Sequence, residues 1–535
     1  TTERIRSYRT AGSKLLFMDI EDEGVMVQGM VNERTLDSRC DQDEKSAVRK
    51  HFRNFMKMIR RGDWISVTGY PHRTSTGELT LLAMSPPNML SPCLQTLPVG
   101  PITDRNILTR NRHVHMLTSP QPSDILRLRS RIERFMCTFF DDNGMTKVTT
   151  PLLTAAASGA VARPFETNSN AVEGVPLKLR IAPELWLKRL VLGGLGGVYE
   201  IGHVFRNEGI DQTHNPEFTM CEFYLPFATQ TDLIALTEKL LADLSAHLQS
   251  LRPSTSSSAH PSHTTPLFAS LPPPPLFVPP FKRIPFIPTL NALLPRPLPP
   301  LHDEPTAHPE LLRLCEEVGA TLPADTDERA RLSVAKLLDA LASHVLEPLT
   351  LHADSGGQGA AAPGPSDRDA AASAPLPASP TPAVWITDFP AVMSPLAKSY
   401  WDGALAQRVA PRAELYVRGR ELVNAYEEEN SPFAQRDKMR AQGRGRGKGD
   451  AESMDVDEDY CDALEWGLPP TGGWGCGLDR LVMVCAGRER VADVLSFGSL
   501  RNVVALREGR RGRGKGKGNG KGREKGEKGE GEREE

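Results

Sequence analysis

The stretch "VYEIGHVFRNEGIDQTHNPEFTMCEFY", residues 198–224, gathers Arg206, the carboxylates Glu208, Glu217 and Glu222, His214, and the rings of Phe205, Phe218, Phe223 and Tyr224. An arginine presents a planar fork to a carboxylate or phosphate. An aromatic ring stacks on a flat base, and carboxylates accept a cation. Two more segments are comparably dense: "AELYVRGRELVNAYEEEN" (413–430) and "GGWGCGLDRL" (472–481). Glu414 and Glu421 are seven residues apart, which on one uninterrupted strand would put them on opposite faces. Gly419 within "VRGRE" supplies a turn that can bring them together. Paired carboxylates without a thiol or imidazole partner suit Mg²⁺ rather than zinc. Arg206 and Arg480 flank the pair in sequence, and arginines with Mg²⁺ around a polyphosphate stabilise phosphoryl or nucleotidyl transfer. There is no G-x-x-x-x-G-K-[ST] loop, so the glycines of "GGWGCG" read as sites of close backbone approach.

Taken singly, each of these residues has a plain reading. Arg206 and Glu208 make a surface ion pair, His214 is a structural hydrogen-bonder, Glu427 to Glu429 are a solvated acidic run, and Phe17 and Phe218 are core. The joint order of the three segments is what favours chemistry.

The elements that must position them begin with the bulk numbers. A chain of 535 residues exceeds one ordinary domain and predicts about two to four. A formal net charge of −3 exerts no global pull on nucleic acid, so any such binding rests on local patches. Eight cysteines without a C-x-x-C pair argue for reduced thiols over zinc or a disulfide framework. No apolar run reaches the roughly 18 residues of a membrane span, which predicts no membrane association.

Residues 1–100 read as a small β domain: "KLLFMDI" (14–20), "GVMVQGMV" (24–31), "WISVTGY" (64–70) and "ELTLLAM" (78–84) are strands. Between the second and third, Val48, Phe52, Phe55 and Ile59 fall at helical spacing. Short strands closing around one helix predict a Greek-key barrel of the OB type. Residues 101–249 open with a helix capped by Ser123, striped by Ile125, Leu128, Ile132, Phe135 and Phe139 and stopped at Asn143-Gly144. They end in a helix for which Thr231 is the expected cap. Residues 250–280 and 351–382 are Pro/Ser/Ala-rich and predict flexible insertions around a helical segment at 281–350. Residues 443–459 read as a further polar insertion within 383–506, and 507–535 as a disordered charged tail.

"FRNEGIDQTHNPEFTMCEFY" and "GGWGCGLDRL" resemble motifs 2 and 3 of the class II aminoacyl-tRNA synthetases. "RIAPELWLKRLVLGG", "SGAVARPFETNSN" and "ELVNAYEEEN" narrow the resemblance to the lysine–tRNA ligases, over residues 4 to about 505. "AYEEENSPFAQRDKM" and "DVLSFGSLRNV" are most similar to the fungal mitochondrial form. The resemblance implies an α+β protein: an OB barrel that binds the anticodon, then a catalytic domain on an antiparallel sheet flanked by helices. Residues 123–151 match motif 1, which makes the homodimer interface in this family.

It also implies roles. Arg206 would grip the ATP α-phosphate and the lysine carboxylate, and Arg480 the γ-phosphate. Phe218 would stack on adenine, with Glu208, His214 and Asn215 completing the nucleotide site. Glu414 and Glu421 would hold Mg²⁺. Gly159 and Glu184 would hold the α-amine of L-lysine, while Glu222, Tyr224, Asn424 and Glu428 would line the pocket for its ε-ammonium. In the barrel, Phe17, Gln28 and Glu78 fall where the family reads the central anticodon base. The implied partners are tRNA(Lys), ATP, L-lysine and a second copy of the chain, in the mitochondrial matrix, with the cytoplasm as the alternative. Ser158, where the family commonly has Gly, and Ala425 depart from the pattern. Two other readings stay open: an aspartate– or asparagine–tRNA ligase, which should want a cation where this sequence has Glu222 and Glu428, and an inactive RNA-binding relative, which should have lost a motif arginine or a metal carboxylate.

Overall fold

In the computed structural model the described residues are 1–22, 24–37, 41–98, 102–155, 159–160, 162–252, 268–351, 380–447 and 456–505. The first unit holds β1 (Thr2–Thr10), β2 (Leu15–Asp22), β3 (Val25–Asn32), β4 (Trp64–Ser66), β5 (Gly69–Arg73), β6 (Leu79–Ala83) and β7 (Asn88–Ser91). Period-2 alternation drives its packing: Leu16, Met18 and Ile20 of β2 are buried while Leu15, Phe17 and Asp19 are half-exposed. The helix Gln42–Met58 lays Phe52 and Phe55 into that core, followed by Ile59. Two strands, β1 and β7, lacked a sequence signal, and the run expected as one strand at 64–70 is two. The chain bends at Val67-Thr68, and Gly69 is so tight against the carbonyl of Leu82 that a Cβ there would collide with it. The hydrogen-bonded ladder is therefore an open seven-stranded sheet, β5-β6-β3-β2-β1-β4-β7, rather than the closed barrel expected. The bent segment carries β4 to β1 and β5 to β6.

The second unit holds β8 (Thr146–Lys147), β9 (Leu153–Thr154), β10 (Glu166–Ser169), β11 (Val172–Leu179), β12 (Val198–Phe205), β13 (Glu217–Pro226), β14 (Lys282–Pro285), β15 (Ala383–Pro390), β16 (Tyr400–Asp402), β17 (Gln407–Val417), β18 (Arg420–Glu427) and β19 (Thr471–Gly477). Its main sheet runs β14-β15-β17-β18-β19-β13-β12-β8, with β16 paired to β17. It is antiparallel except at its two ends, where β14–β15 and β12–β8 are parallel. β9, β10 and β11 make a separate small sheet.

One face of the main sheet is apolar. Cys221 and Phe223 of β13, Leu415 and Val417 of β17, Val423 and Ala425 of β18, and Trp474 and Cys476 of β19 share a core with the helices Gln121–Asp142, Gln230–Ser250 and Leu478–Ala486. Phe223 and Trp474 stack there at 4.9 Å between ring centroids, and the indole of Trp474 donates to Thr237 Oγ1 at 2.9 Å. A second core joins Phe286–Leu293, Glu304–Val318 and Val334–Val345 to β15 and β17.

The helix limits differ from the sequence reading in detail. Gln121–Asp142 starts two residues before Ser123, which lies inside it. Gln230–Ser250 is capped by Thr229, not Thr231, in a reciprocal capping box with Asp232. Residues 268–280 also depart from the expected flexible insertion. Phe268, Leu271 and Phe277 are buried in the main core, and Ser245 Oγ donates to the Pro275 carbonyl at 2.9 Å. Proline-rich backbone needs few amide partners, so scattered apolar side chains suffice to dock it. Residues 253–267, most of 351–382, part of 443–459 and the tail from 506 lie outside the described residues, as does Ser158. Ala425 is buried on the apolar face, away from the polar one.

Candidate active site

The opposite face of the main sheet carries the polar residues, and strand parity explains which. On β13, Met220, Glu222 and Tyr224 alternate with the buried Cys221 and Phe223. On β19 the same parity presents Gly473 and Gly475, so the middle of the floor has no side chains to obstruct a ligand. The β17–β18 hairpin turns at Arg418 and Gly419, whose φ angles are 54° and 73°, the positive pair that a two-residue hairpin turn requires. This turn sets Tyr416 opposite Glu421, on the face of Glu414. A bulge at Leu422 then shifts the parity, so that Asn424 faces Glu414 and Tyr426 faces Arg412. Without it, the apolar Val423 and Ala425 would point this way.

These strands, with Gly159 and Glu184 beside them, line a cavity of about 720 Å³. At one end lie the two arginines, Arg206 and Arg480, with their partners. The guanidinium of Arg206 sits 5.2 Å from the centroid of the Phe218 ring. Arg480 donates to the Glu421 carbonyl at 2.9 Å and approaches its carboxylate at 3.4 Å. Its other arm lies 3.0 Å from His214 Nε2, and His214 Nδ1 is 2.7 Å from Asp211 Oδ2. With Nε2 accepting from arginine, Nδ1 carries the proton and donates it to Asp211. Glu414 pairs with Arg412 and accepts from Tyr416 Oη at 3.0 Å. Burial, with the nearby charge of Glu421, pushes its carboxyl up to about 7 against the pull of Arg412.

At the other end the carboxylates multiply. Lys188, fully buried on the helix Glu184–Leu192, is 2.8 Å from Glu184 Oε1 and 2.8 Å from Glu428 Oε2. Tyr426 Oη donates to Glu184, 2.9 Å from Oε2. Tyr224 Oη donates to Glu222 Oε2 at 3.1 Å. Glu428 is 0% exposed, and its Oε1 has no hydrogen-bond partner. A Cβ on Gly473 would collide with that oxygen, which places it against the glycine floor. Burial and the charge of Glu184 push Glu222 up to about 8. Burial also raises Glu428, against the pull of Lys188. For Lys188, burial is outweighed by Glu184 and Glu428, which hold it protonated. Gly159 has φ +104°, and a Cβ there would come 3.2 Å from the Cβ of Glu184.

Comparison with known proteins agrees with this layout. The family model for class II tRNA synthetases (D, K and N) matches residues 104–501, and that for the OB-fold nucleic acid binding domain matches residues 4–85. A mitochondrial lysine–tRNA ligase of Schizosaccharomyces pombe is 36% identical over 504 residues, covering 94% of this chain and 83% of that protein. The chain belongs to the lysine–tRNA ligases of class II. A mitochondrial lysine–tRNA ligase of Saccharomyces cerevisiae is 32% identical, covering 94% of this chain and 81% of that protein. A probable cytoplasmic lysine–tRNA ligase of Encephalitozoon cuniculi is 35% identical, covering 86% and 81%.

Of the residues read from the sequence against this family, Gly159, Glu184, Arg206, His214, Glu222, Tyr224, Glu414, Glu421, Asn424 and Arg480 line the one cavity. Glu428 is not part of the lining, but its Oε1 lies where a Cβ on the lining residue Gly473 would fall. Phe218 carries Arg206 on one face. Asn215 is turned to the C-terminal segment, accepting from the Leu500 amide at 3.0 Å. Glu208 is exposed on the loop after β12, outside the cavity lining, but its charge acts on Arg206 more strongly than that of Glu222 or Glu421. Glu427 to Glu429 are not a solvated run, since Glu428 and Glu429 are buried on Lys188 and Lys438. In the ligase's first unit, Phe17 faces outward, with the guanidinium of Arg9 5.0 Å from its ring centroid. Gln28 accepts from Thr80 Oγ1 at 3.2 Å, and Glu78 is exposed two residues before Thr80.

The sequence reading missed Lys188, Arg412 and Tyr426. Lys188 lies one helical turn after Glu184, Arg412 two strand residues before Glu414, and Tyr426 two after Asn424, so simple periodicity held the signal. The donor set at Glu414 and Glu421, which share one face of the cavity, is oxygen only. This fits Mg²⁺, which is held by one or two carboxylates and keeps waters and phosphate oxygens for the rest. Among the described residues no helix is long and apolar enough to cross a membrane.

Proposed function

We infer that this chain is an ATP-dependent lysine–tRNA ligase, activating L-lysine as lysyl-adenylate and passing it to the 3′ end of tRNA(Lys). The observation that carries the reading is the unpartnered, fully buried Oε1 of Glu428, set among Glu222, Tyr224 and Gly473. A buried carboxylate oxygen without a partner is costly unless a cation arrives to meet it. The lysine ε-ammonium is such a cation, whereas an aspartate side chain would repel the oxygen and an asparagine amide would leave its charge uncompensated. The retained Arg206, Arg480, Glu414 and Glu421 argue against an inactive relative.

In this reading the lysine carboxylate attacks the α-phosphorus of ATP in line and pyrophosphate leaves. The 3′-terminal ribose hydroxyl of the tRNA then displaces AMP from the lysyl group. No side chain forms a covalent intermediate, so positioning and electrostatics supply the rate. Arg206 holds the α-phosphate beside the lysine carboxylate, and Arg480, steadied by His214 and Glu421, meets the γ-phosphate. Adenine stacks at Phe218, near Glu208, His214 and Asn215. Glu184 and Gly159 receive the α-amine. Glu414 and Glu421 hold Mg²⁺, which when bound neutralises phosphate charge. Phe17, Gln28 and Glu78 read the anticodon by stacking and edge hydrogen bonds.

The protein acts as a homodimer in this proposal. The helix Gln121–Asp142 and the edge strand β8 are followed by Leu152 and Leu153, which are 44% and 49% exposed. Its site of action is the mitochondrial matrix, in keeping with the mitochondrial names of the two yeast relatives. The decisive experiment is ATP–pyrophosphate exchange with each of the twenty amino acids. Exchange with lysine alone supports the reading, and exchange with aspartate or asparagine, or none, defeats it.

A further inference from the structure

We propose that Lys188 is a positioning residue for lysine selection: a built-in ammonium that sets the charge and aims the oxygens of the amino-acid pocket. The proposal rests on the function proposed above and deepens it.

Three carboxyl groups, Glu184, Glu222 and Glu428, crowd this end of the cavity. With all three ionised, as an incoming ammonium requires, one internal ammonium against three carboxylates leaves two negative charges. L-lysine brings two ammonium groups there, its own carboxylate lying at Arg206, so the occupied pocket is neutral. Without Lys188 the same pocket carries an excess carboxylate in a dry setting, where an uncompensated charge is costly.

Geometry adds a second role. Lys188 Nζ is 2.8 Å from Glu184 Oε1 and 2.8 Å from Glu428 Oε2, so it ties the two carboxylates to one point. Each keeps its other oxygen for different work: Glu184 Oε2 faces Tyr426 Oη at 2.9 Å, and Glu428 Oε1 is left against the glycine floor. Lys188 is itself 0% exposed, with its ammonium 5.2 Å from the Tyr460 ring centroid, so it cannot swing out to solvent when substrate binds. A lysine that only plugged a hydrophobic gap would need no such pair of acceptors.

The test is a double-mutant cycle on the full-length protein, using Lys188→Met, Glu428→Gln and their combination. Each is assayed by lysine-dependent ATP–pyrophosphate exchange, with ATP binding and thermal unfolding measured in parallel. Lys188→Met should raise the lysine KM at least about tenfold while moving the ATP KM less than about threefold, because the nucleotide end lies on other residues. In the combined variant the excess carboxylate is gone, so its lysine KM should not exceed that of Glu428→Gln alone by more than about threefold. If Lys188→Met does not fold, the combined variant should, and that KM comparison still decides. Additive effects, an unchanged lysine KM, parallel losses for lysine and ATP, or failure of both Lys188 variants to fold would each overturn the proposal. Absence of lysine exchange in the unmutated protein would instead overturn the function on which it rests.

Discussion

Gly473→Ala tests the amino-acid pocket with a single methyl group. Gly473 lies in β19 with an ordinary extended backbone, so alanine adds no conformational strain there. The added Cβ would collide with Glu428 Oε1, lie 3.0 Å from Glu428 Cδ and come 2.7 Å from the Tyr224 ring. Tyr224 is packed in the buried cluster with Leu185 and Leu187, so the carboxylate must give way. It has to retreat by at least about 1 Å, which lengthens its contact with Lys188 and withdraws the oxygen that meets the substrate. Overpacking of this kind costs about 1–3 kcal/mol of stability. A misplacement of about 1 Å at a reacting or recognising group costs on the order of 10²-fold in rate or affinity. The lysine KM should therefore rise by on the order of 10² in ATP–pyrophosphate exchange, with the ATP KM little changed. Gly475→Ala is the comparison for folding, since its Cβ meets Met220 Cε at 3.5 Å and Glu222 Cγ at 3.6 Å, both ordinary contacts. A Gly473→Ala protein with an unaltered lysine KM would refute the placement of Glu428 at the substrate side chain.

Other expectations can be checked with the same assays. Glu421→Gln should lose most adenylation while the protein stays folded and binds lysine, because one anionic metal ligand is gone; near-normal exchange would count against the metal assignment. Phe17→Ala should weaken tRNA charging by roughly 1–3 kcal/mol of stacking and leave pyrophosphate exchange intact, and equal damage to both would make Phe17 structural. Glu222, at about 8 in the empty pocket, must shed its proton to meet an ammonium. Lysine affinity should thus rise with pH toward 8 and level off above it, with proton release measurable by calorimetry in two buffers. The same raised value means that the substrate-free protein loses stability as pH climbs from its ordinary 4.5 to about 8, and saturating lysine should flatten that slope.

Much of the site was written in local pattern. The alternation of Met220, Glu222 and Tyr224 with Cys221 and Phe223 announces a strand with one wet face, and Gly419 announces the turn that brings Glu421 onto the face of Glu414. The partners of these groups were less visible, because they come from distant chain. Glu428 and Lys188 are 240 residues apart, and Arg129 on the helix Gln121–Asp142 reaches Asp479 and Thr219. The open ladder of the first unit depends on where one strand bends, which propensity does not encode. The docked prolines at 271–280 were misjudged because composition reports average polarity and not where the few apolar side chains land.

The bulge at Leu422 acts as a phase shifter between two vocabularies on one strand. Before it, odd-numbered Glu421 faces the ligand; after it, even-numbered Asn424 and Tyr426 do. The nucleotide end and the amino-acid end can thus be edited independently, since a change of register on one side is absorbed at the irregularity before it reaches the other. Pairing the strand straight through, with Leu422 kept and no bulge, would leave the metal end in phase and turn the amino-acid end inside out. Val423 and Ala425 would then face the ligand, and Asn424 and Tyr426 would be driven into the apolar core. A ligase with its strand straightened in this way should still bind ATP while having no means of telling one amino acid from another.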